Sequence, residues 1–491
     1  MSIQNVTEKV ERWGVFELTL KGPEGGNPFL EVNFDAEFRY RGRAVMMGGF
    51  YDGDGIYKVR FMPDTEGYWT YTTKSGCVEL NGITGSFLCT APGANNHGPV
   101  RVKNTFHFEY EDKTPYYPFG TTCYAWIHQG YELEEQTLNT LKNSPFNKLR
   151  MCVFPKDYSY NKNEPVYYPF EGSLEKGWDY TRFNPEFFRH LEKRIMDLGE
   201  LGIEADLILF HCYDRWGYSN MDEDSNIRYL TYLVRRLSAY RNIWWSLANE
   251  FDFVQSKTMG DWDRLFKIVQ QNDPFQHLRS IHNGRTFYDH GKPWVTHCSI
   301  QSSQLDKVYE WRNLYNKPII VDECCYEGNI EHDWGNITDK EMVHRFWKGF
   351  CCGGYVGHGE TYIHPQDILW WSKGGVLYGK SPERIAFLRK IIEEGPSDGL
   401  TPYHDTWQVV WAGKEGYYYL MYFGINQPYF KEINLPESDK FEVEIIDTWE
   451  MTITPLPGEY SGKCRIELPA KQYIALRIRR LHSFSSIKGG F

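Results

Sequence analysis

The chain has 491 residues, with 54 Lys and Arg against 65 Asp and Glu, and a formal net charge of −11. That charge argues against a nucleic-acid-binding protein, because phosphate contacts need a basic face and the sequence has no long Lys/Arg cluster. Hydrophobic residues make up 41% of the chain and aromatic residues 17%, which is enough to build large cores and excludes an intrinsically disordered or fibrous protein.

No apolar run approaches the roughly 18 residues that a membrane span requires, so we expect no membrane partner. The first residues lack the basic and apolar stretches of a secretory signal. The 11 cysteines include no CxxC motif, which favours reduced, mostly buried thiols over a disulfide framework or a zinc site. These features together predict a cytoplasmic protein.

The first ninety or so residues form short alternating segments, such as 14–20 and 57–61, separated by turn signals at 22–26 and 52–55. This spacing is typical of an all-β sandwich. A stretch of small, polar and turn-forming residues follows at 91–99. The pattern predicts an N-terminal β-sandwich domain over residues 1–95.

From about residue 116 the pattern changes to short apolar runs separated by longer helical patterns. One helix should begin after Asn184, a good N-cap, with Pro185 in the first helical position. The eight apparent strand–helix units predict an α/β fold, a (β/α)8 TIM barrel over residues 96–398. A doubly wound sheet is disfavoured because its glycine-rich first turn is missing.

After about residue 400 the alternating β pattern returns, for example at 416–423 and 441–446. It predicts a C-terminal β-sandwich domain over residues 399–491. The fold class expected for the whole chain is therefore a TIM barrel flanked by two β-sandwiches.

Two glutamates stand where a barrel enzyme places its catalytic groups, at the carboxyl ends of strands. Glu250 closes the fourth apparent strand and Glu323 the seventh. Two such carboxyl groups suit double-displacement glycoside hydrolysis, in which one donates a proton and the other attacks the anomeric carbon. We assign Glu250 as acid/base and Glu323 as nucleophile. Asp322 and Glu327 are rivals near the second position, although Asp322 should point to the opposite face of its strand.

These residues resemble a known enzyme clan. Asn249–Glu250 after a Trp-rich strand, Glu323 closing a Pro-Ile-Ile-Val strand, and Arg150 on the second strand resemble the retaining glycoside hydrolases of the (β/α)8-barrel clan, the β-galactosidase, β-mannanase and cellulase superfamily. The resemblance implies that Asn249 binds the sugar 2-hydroxyl and that Arg150 supports the nucleophile. The three-part layout also resembles proteins with an apiosidase-like barrel between N- and C-terminal β domains.

Other strand ends carry polar and aromatic side chains of the kind that bind sugars, which present flat apolar faces ringed by hydroxyls. Either Trp370 or Trp371 should form the floor of a sugar subsite, as one Trp often does in this clan. The further candidate substrate-binding residues are Trp126, His128, His211, His297, His358, Glu360 and Trp371.

The sequence therefore predicts a cytoplasmic, retaining, exo-acting β-glycosidase that hydrolyses small oligosaccharides or glycosides without a metal or other cofactor. Two other classes stay open. A non-catalytic carbohydrate-binding protein would keep the aromatics, and a metal-dependent barrel hydrolase would use the histidines 128, 211, 282, 297 and 358. A transglycosylase would use the same two glutamates, and a homo-oligomer is an open alternative to a monomer.

Overall fold

The computed structural model describes residues 8–363, 366–403 and 409–481, so the outermost residues of both predicted terminal domains lie outside it. Eight N-terminal strands form two sheets, ordered β1-β8-β7-β3-β4 and β2-β6-β5. A short helix, α1 (Pro28–Glu31), follows β2. The strands are β1 (Lys9–Glu11), β2 (Phe16–Lys21), β3 (Phe34–Tyr40), β4 (Arg43–Gly48), β5 (Phe50–Tyr51), β6 (Ile56–Phe61), β7 (Gly67–Ser75) and β8 (Thr84–Thr90).

Alternation along these strands produces the core between the two sheets. In β3 the alternate residues Phe34, Ala36 and Phe38 are buried. Phe38 of the first sheet stacks on Phe61 of the second with ring centroids 4.3 Å apart, and Phe16 stacks on Phe87 at 4.2 Å. The two sheets are therefore joined mainly by aromatic contacts.

Three short strands lead from this domain into the barrel: β9 (Val100–Lys103), β10 (His107–Tyr110) and β11 (Pro115–Tyr116). They pair in the order β11-β10-β9. Phe108 of β10 packs against Trp244 and His297 at ring-centroid distances of 5.4 and 5.8 Å. This small sheet therefore covers the base of the barrel.

Eight parallel strands form the barrel sheet, in the order β18-β17-β16-β13-β12-β22-β20-β19. A bridge between His282 and Ser299 joins its two edges. The strands from residue 120 onward are β12 (Gly120–Thr122), β13 (Lys148–Cys152), β14 (Phe170–Ser173), β15 (Gly177–Phe183), β16 (Glu204–His211), β17 (Ile243–Asn249), β18 (Arg279–Ser280), β19 (Cys298–Gln301), β20 (Ile319–Glu323), β21 (Glu327–Gly328), β22 (Tyr355–His358) and β23 (Glu360–Thr361).

Helices alternate with the barrel strands. Asn184 caps α3 by accepting a hydrogen bond from the Glu186 backbone N–H, and Pro185 takes the first helical position as predicted. The helices are α2 (Tyr131–Lys142), α3 (Pro185–Glu200), α4 (Glu223–Leu237), α5 (Met259–Asn272), α6 (Val308–Tyr315), α7 (Asp339–Cys351), α8 (Trp370–Lys373) and α9 (Ser381–Glu393). None of the helices among the described residues is long and apolar enough to cross a membrane.

The C-terminal strands form a six-stranded sheet, β24-β25-β26-β31-β28-β29, and the pair β27-β30. The TIM barrel with β-sandwiches at both ends, predicted from the sequence, is confirmed. The remaining strands are β24 (Thr401–Tyr403), β25 (Val410–Lys414), β26 (Tyr418–Tyr422), β27 (Phe430–Asn434), β28 (Phe441–Asp447), β29 (Thr452–Pro455), β30 (Lys463–Glu467) and β31 (Ile474–Arg480).

Candidate active site

A cavity of about 570 Å³ opens at the carboxyl ends of the barrel strands. This is the end at which barrel enzymes place their active sites. Residues at or after the ends of seven of the barrel strands, together with α8, contribute to its wall. The principal lining residues are Tyr124, Lys156, Tyr158, Tyr160, Tyr213, Asn249, Glu250, Arg285, Gln301, Glu323, Tyr326, Trp334 and Trp371.

Glu250 reaches this cavity through a local change in the backbone. Its φ of +48° lies in the left-handed region, which is uncommon for a residue with a side chain and is found mainly where function requires it. The turn lets Asn249 and Glu250, although adjacent in sequence, both line the cavity. The Glu250 carboxylate accepts hydrogen bonds from Tyr213 Oη, from Gln301 Nε2 at 3.2 Å and from Asn249 Nδ2 at 3.4 Å.

Glu323 reaches the same cavity because the pairing of β19 with β20 shifts by one residue. Ile300 pairs with Val321, but Gln301 pairs with Glu323, so Asp322 is the extra residue. Such a bulge redirects the side chains that follow it. Asp322 consequently lies inside the barrel, bonded to Lys148 Nζ at 2.9 Å, and not on the opposite face that simple alternation predicts.

A hydrogen-bonded network connects the two glutamates. Arg150 donates to Glu323 Oε1 at 3.2 Å through Nη1, and to Asn249 Oδ1 at 3.0 Å through Nη2. Tyr124 Oη bonds to the same two acceptors. Because Asn249 in turn donates to Glu250, rotation of any one of these groups affects the placement of both carboxyl groups.

The two carboxyl groups have different electrostatic surroundings. Glu323 is paired with the Arg150 guanidinium, whereas no ion pair among the described residues includes Glu250. Burial raises the pKa of Glu323 to about 7, and the nearby Tyr326 hydroxyl opposes this rise. Arg150 and the phenolic hydroxyls favour the ionised form, so above about pH 7 Glu323 is a carboxylate held by fixed donors.

Below these residues the barrel interior holds a second set of charges, one lysine between two aspartates. Lys148 Nζ lies 2.6 Å from Asp206 Oδ2 and 2.9 Å from Asp322 Oδ1. Ser299 Oγ donates to the second oxygen of Asp322 at 2.5 Å. All four side chains are fully buried, and they lie outside the cavity lining. This layer supports Arg150 from below without facing substrate.

One wall of the cavity is aromatic. Trp371 lies at the centre of a cluster of rings, with Trp334 at 5.2 Å, Tyr158 at 5.3 Å and Tyr160 at 5.5 Å between centroids. These residues come from three separate segments after β13, β20 and β23. An aromatic surface beside two carboxyl groups suits a sugar ring, which stacks its C–H face on the aromatic plane. Of the two tryptophans considered from the sequence, Trp371 is the one in the lining.

Lys156 lies at the base of the same wall, 2% exposed. Its Nζ is 3.5 Å from the ring centroid of Tyr124, 4.3 Å from that of Tyr213 and 4.6 Å from that of Tyr158. Burial lowers the pKa of this ammonium group, and the charge of Glu250 partly restores it.

Seven residues predicted to bind substrate lie outside the cavity lining: Arg150 directly beneath it, and six others that are buried elsewhere. Trp126 is fully buried and donates to Met151 Sδ, while His128 and His211 contact the backbone carbonyls of Cys152 and Phe154. The remaining three are His297, which packs on Trp244 at the barrel base, His358, which stacks on Phe146, and Glu360, which accepts from the backbone N–H groups of Tyr378 and Gly379.

One group of side chains among the described residues could hold a metal ion. Glu327, His358 and Glu360 each offer a ligand atom, and these atoms lie within 4.8 Å of one another. The group is buried outside the cavity lining. Both carboxylates already accept backbone N–H bonds from the segment before α9, which gives them a structural role. The five histidines that suggested a metallohydrolase do not meet at one site in the cavity.

Several lining residues were not identified as site residues from the sequence: Lys156, Arg285, Tyr326 and Trp334. Tyr326 lies three residues after Glu323, and this short spacing is the sequence feature that indicates its place in the site. Lys156 and Trp334 carry no local signal, because long loops bring them to the mouth.

Comparisons with known proteins agree with this geometry. A family model described as "Apiosidase-like, catalytic domain" matches residues 102–414. Two models described as domains of unknown function, DUF5060 and DUF5605, match residues 9–76 and 407–479. A search of curated proteins gives no match.

Solved structures give the same result. A candidate glycoside hydrolase of Bacteroides vulgatus is 41% identical over 97% of this chain and 100% of its own, with a TM-score of 0.92. A family 5 glycoside hydrolase of the same organism shares 16% identity over 78% of this chain and 94% of its own, with a TM-score of 0.61. The second likeness concerns the fold alone.

Proposed function

Because this chain belongs to the apiosidase-like family and is a glycoside hydrolase, we propose that it cleaves small glycosides with retention of configuration, using Glu323 as nucleophile and Glu250 as acid/base. The observation that carries the proposal is the contrast between the two carboxyl groups of one cavity. Glu323 is paired with a guanidinium, and Glu250 has no ion pair within the described part of the chain, which suits an attacking carboxylate and a proton donor.

In the first step Glu323 attacks the anomeric carbon while the bond to the leaving oxygen breaks. Glu250 gives its proton to that oxygen, and the sugar remains on Glu323 as an ester. In the second step Glu250 takes a proton from water, the water oxygen attacks the anomeric carbon, and the ester bond breaks to restore Glu323. Two inversions produce net retention.

The other residues of the network have positioning roles in this proposal. Asn249 Oδ1 accepts a hydrogen bond from Arg150 at 3.0 Å, and Asn249 Nδ2 donates to Glu250 at 3.4 Å. In this position the amide can bind the 2-hydroxyl of the bound sugar. Trp371 supplies the stacking surface. The cavity volume of about 570 Å³ suits one or two sugar rings, and this supports exo-action on short substrates.

The test is the stereochemistry of the product. Proton NMR monitors the anomeric configuration of the released sugar while the enzyme hydrolyses a panel of nitrophenyl glycosides of both anomers. The first-formed sugar should have the configuration of the substrate. With added azide, Glu323→Ala should produce a glycosyl azide of inverted configuration, and Glu250→Ala one of retained configuration. Glu310→Gln, on the exposed surface of α6, is the matched control and should behave as wild type. An inverted sugar product, or full activity in Glu323→Ala, would overturn the assignment.

A further inference from the structure

Lys156 is a buried cation without an anionic partner. No ion pair among the described residues includes its Nζ, and no hydrogen bond among them uses it as a donor. Its surroundings are ring faces instead: Tyr124, Tyr158 and Tyr213 within 4.6 Å and Trp371 at 5.7 Å. Ring faces attract a cation, but they leave its N–H groups without the acceptors that a buried ammonium requires.

The cavity as a whole has an excess of positive charge, in contrast to a chain of net charge −11. Lys156 and Arg285 line it, and Arg150 lies directly beneath. The layer below contains Lys148 with two carboxylates, Asp322 and Asp206, and Asp206 lies 3.9 Å from Arg150, so this layer compensates Arg150. Once Glu250 is protonated for the first step, the remaining cations, Lys156 and Arg285, face a single carboxylate, Glu323.

The location of Lys156 indicates which part of the substrate would carry a negative charge to pair with its ammonium group. Its Nζ lies against Tyr124, which donates to Glu323, and against Tyr213, which donates to Glu250. The ammonium is therefore close to the sugar that the two carboxyl groups hold between them. An anionic group on that sugar would therefore lie near the ammonium.

We propose that the enzyme acts on glycosides whose sugar at the cleaved bond carries a carboxylate, a uronic acid, and that Lys156 binds this carboxylate. The inference rests on the proposed glycosidase function and names its substrate class. A lysine ammonium is a compact point charge with three donors, and it pairs well with a carboxylate inside a water-poor pocket. Arg285 is exposed at the rim, where it raises the local potential and attracts an anionic substrate.

The first experiment compares kcat/KM for matched pairs of nitrophenyl glycosides that differ only in the C6 group: glucuronide against glucoside, and galacturonide against galactoside. For at least one pair the uronide should be preferred by about 10²-fold. Lys156→Met, which keeps the stem and removes the charge, should abolish the preference. Lys176→Met, on an exposed turn, should retain it.

A binding measurement makes the proposal independent of turnover and of a misfolded variant. Trp334 and Trp371 line the cavity, so tryptophan fluorescence should report ligands there. Free glucuronate or galacturonate should bind wild type more tightly than the parent aldose, less tightly at high salt, and no more tightly in Lys156→Met. Circular dichroism and thermal melting identify variants that have not folded.

The outcomes separate the two proposals. Hydrolysis of neutral glycosides, with the uronide no better and no uronate binding, would overturn the uronic acid assignment and leave the glycosidase assignment standing. Uronate binding that depends on Lys156, without hydrolysis of any glycoside, would support the anion site and count against the proposed reaction.

Discussion

Two glutamates that both contact arginine, the buried Glu192 and the partly buried Glu323, have opposite electrostatics. Glu192 lies between the N-terminal domain and the barrel helices, 2.7 Å from Arg60 and 2.6 Å from Arg236. Burial opposes ionisation there, but the two guanidinium groups lower the pKa of Glu192 to about 2. Glu323 has one arginine at 3.2 Å, and burial raises its pKa to about 7.

The comparison separates structural from functional charge. In the interface cluster of Arg60, Arg236, Glu192 and Asp52, two cations meet two carboxylates, and Arg236 Nη1 lies 2.7 Å from Asp52 Oδ1. Each charge has a partner, as buried ions in a stable fold require. In the cavity Glu323 has a single arginine partner, and no ion pair among the described residues includes Lys156, which feels only the charge of Glu250 at a distance. Such imbalance raises the energy of the free protein and is typical of groups that act on a ligand.

The largest expected effect is on activity. Glu323→Gln should lower kcat/KM by about 10⁴-fold, because the amide cannot form the glycosyl ester. Glu192→Gln should keep kcat/KM within about threefold of wild type per folded molecule, because its carboxylate contacts only the interface cluster. Initial rates on the best nitrophenyl glycoside provide the measurement. Similar losses of kcat/KM in Glu323→Gln and Glu192→Gln would contradict the distinction between a functional and a structural glutamate.

The converse effect on stability should be nearly as large. Glu192→Gln removes the carboxylate that Arg60 and Arg236 share and leaves Arg60 with Glu17 and Arg236 with Asp52, so we expect a loss of about 3 kcal/mol in the free energy of unfolding. Urea titration of the tryptophan fluorescence and of the circular dichroism signal measures it and shows whether the domains unfold together. A loss below about 1 kcal/mol would mean that the interface tolerates unpaired charge.

The two glutamates should also respond to pH in opposite directions. The folded pKa of Glu323 is raised from its ordinary 4.5 to about 7, so its stabilising contribution is present below pH 4.5 and is lost as pH rises through 7. Wild type should therefore lose up to about 3 kcal/mol relative to Glu323→Gln over that range. For Glu192, whose folded pKa is lowered, stability is lost only as pH falls below about 4.5. Unfolding of wild type, Glu323→Gln and Glu192→Gln, measured at pH 3, 4.5, 6 and 8, tests both signs.

The pH–rate profile should show the same ionisation. Because Glu323 attacks as a carboxylate, kcat/KM for an uncharged glycoside should fall about tenfold for each pH unit below about 7. Glu192→Gln serves as the control and should show the same limb. A profile that is flat down to pH 5 would place the functional pKa of Glu323 well below 7 and show that Arg150 outweighs burial.

The smallest effect belongs to exposed charges. Arg264 and Glu223 pair at 2.8 Å with about half of each side chain exposed. Glu223→Gln should change the free energy of unfolding by less than about 1 kcal/mol and leave activity unchanged, since solvent screens such pairs. A larger loss of thermal stability in Glu223→Gln would show that the loss of an ion pair, and not the burial of the charges, explains the destabilisation expected for Glu192→Gln.

The positions of strand ends in the sequence identified the site residues that lie at or directly after the end of a barrel strand. Asn249, Glu250 and Glu323 follow apolar strands, and a barrel brings all strand ends to one mouth, so their meeting was predictable. The same reasoning also selected His297 and His358, which the structure places in the packed interior. A histidine near a strand end looks the same in sequence whether it faces substrate or neighbouring rings.

The three-part architecture and the pair of strand-end glutamates follow from the amino-acid sequence alone. The spacing of hydrophobic residues and the position of a residue at the end of a strand are both local properties of the sequence. Only the tertiary structure decided which charges are compensated. The bulge at Asp322, the left-handed turn at Glu250 and the loop that buries Lys156 depend on contacts between residues distant in sequence. The pKa of a buried group reflects the sum of those contacts, and no local pattern contains that sum.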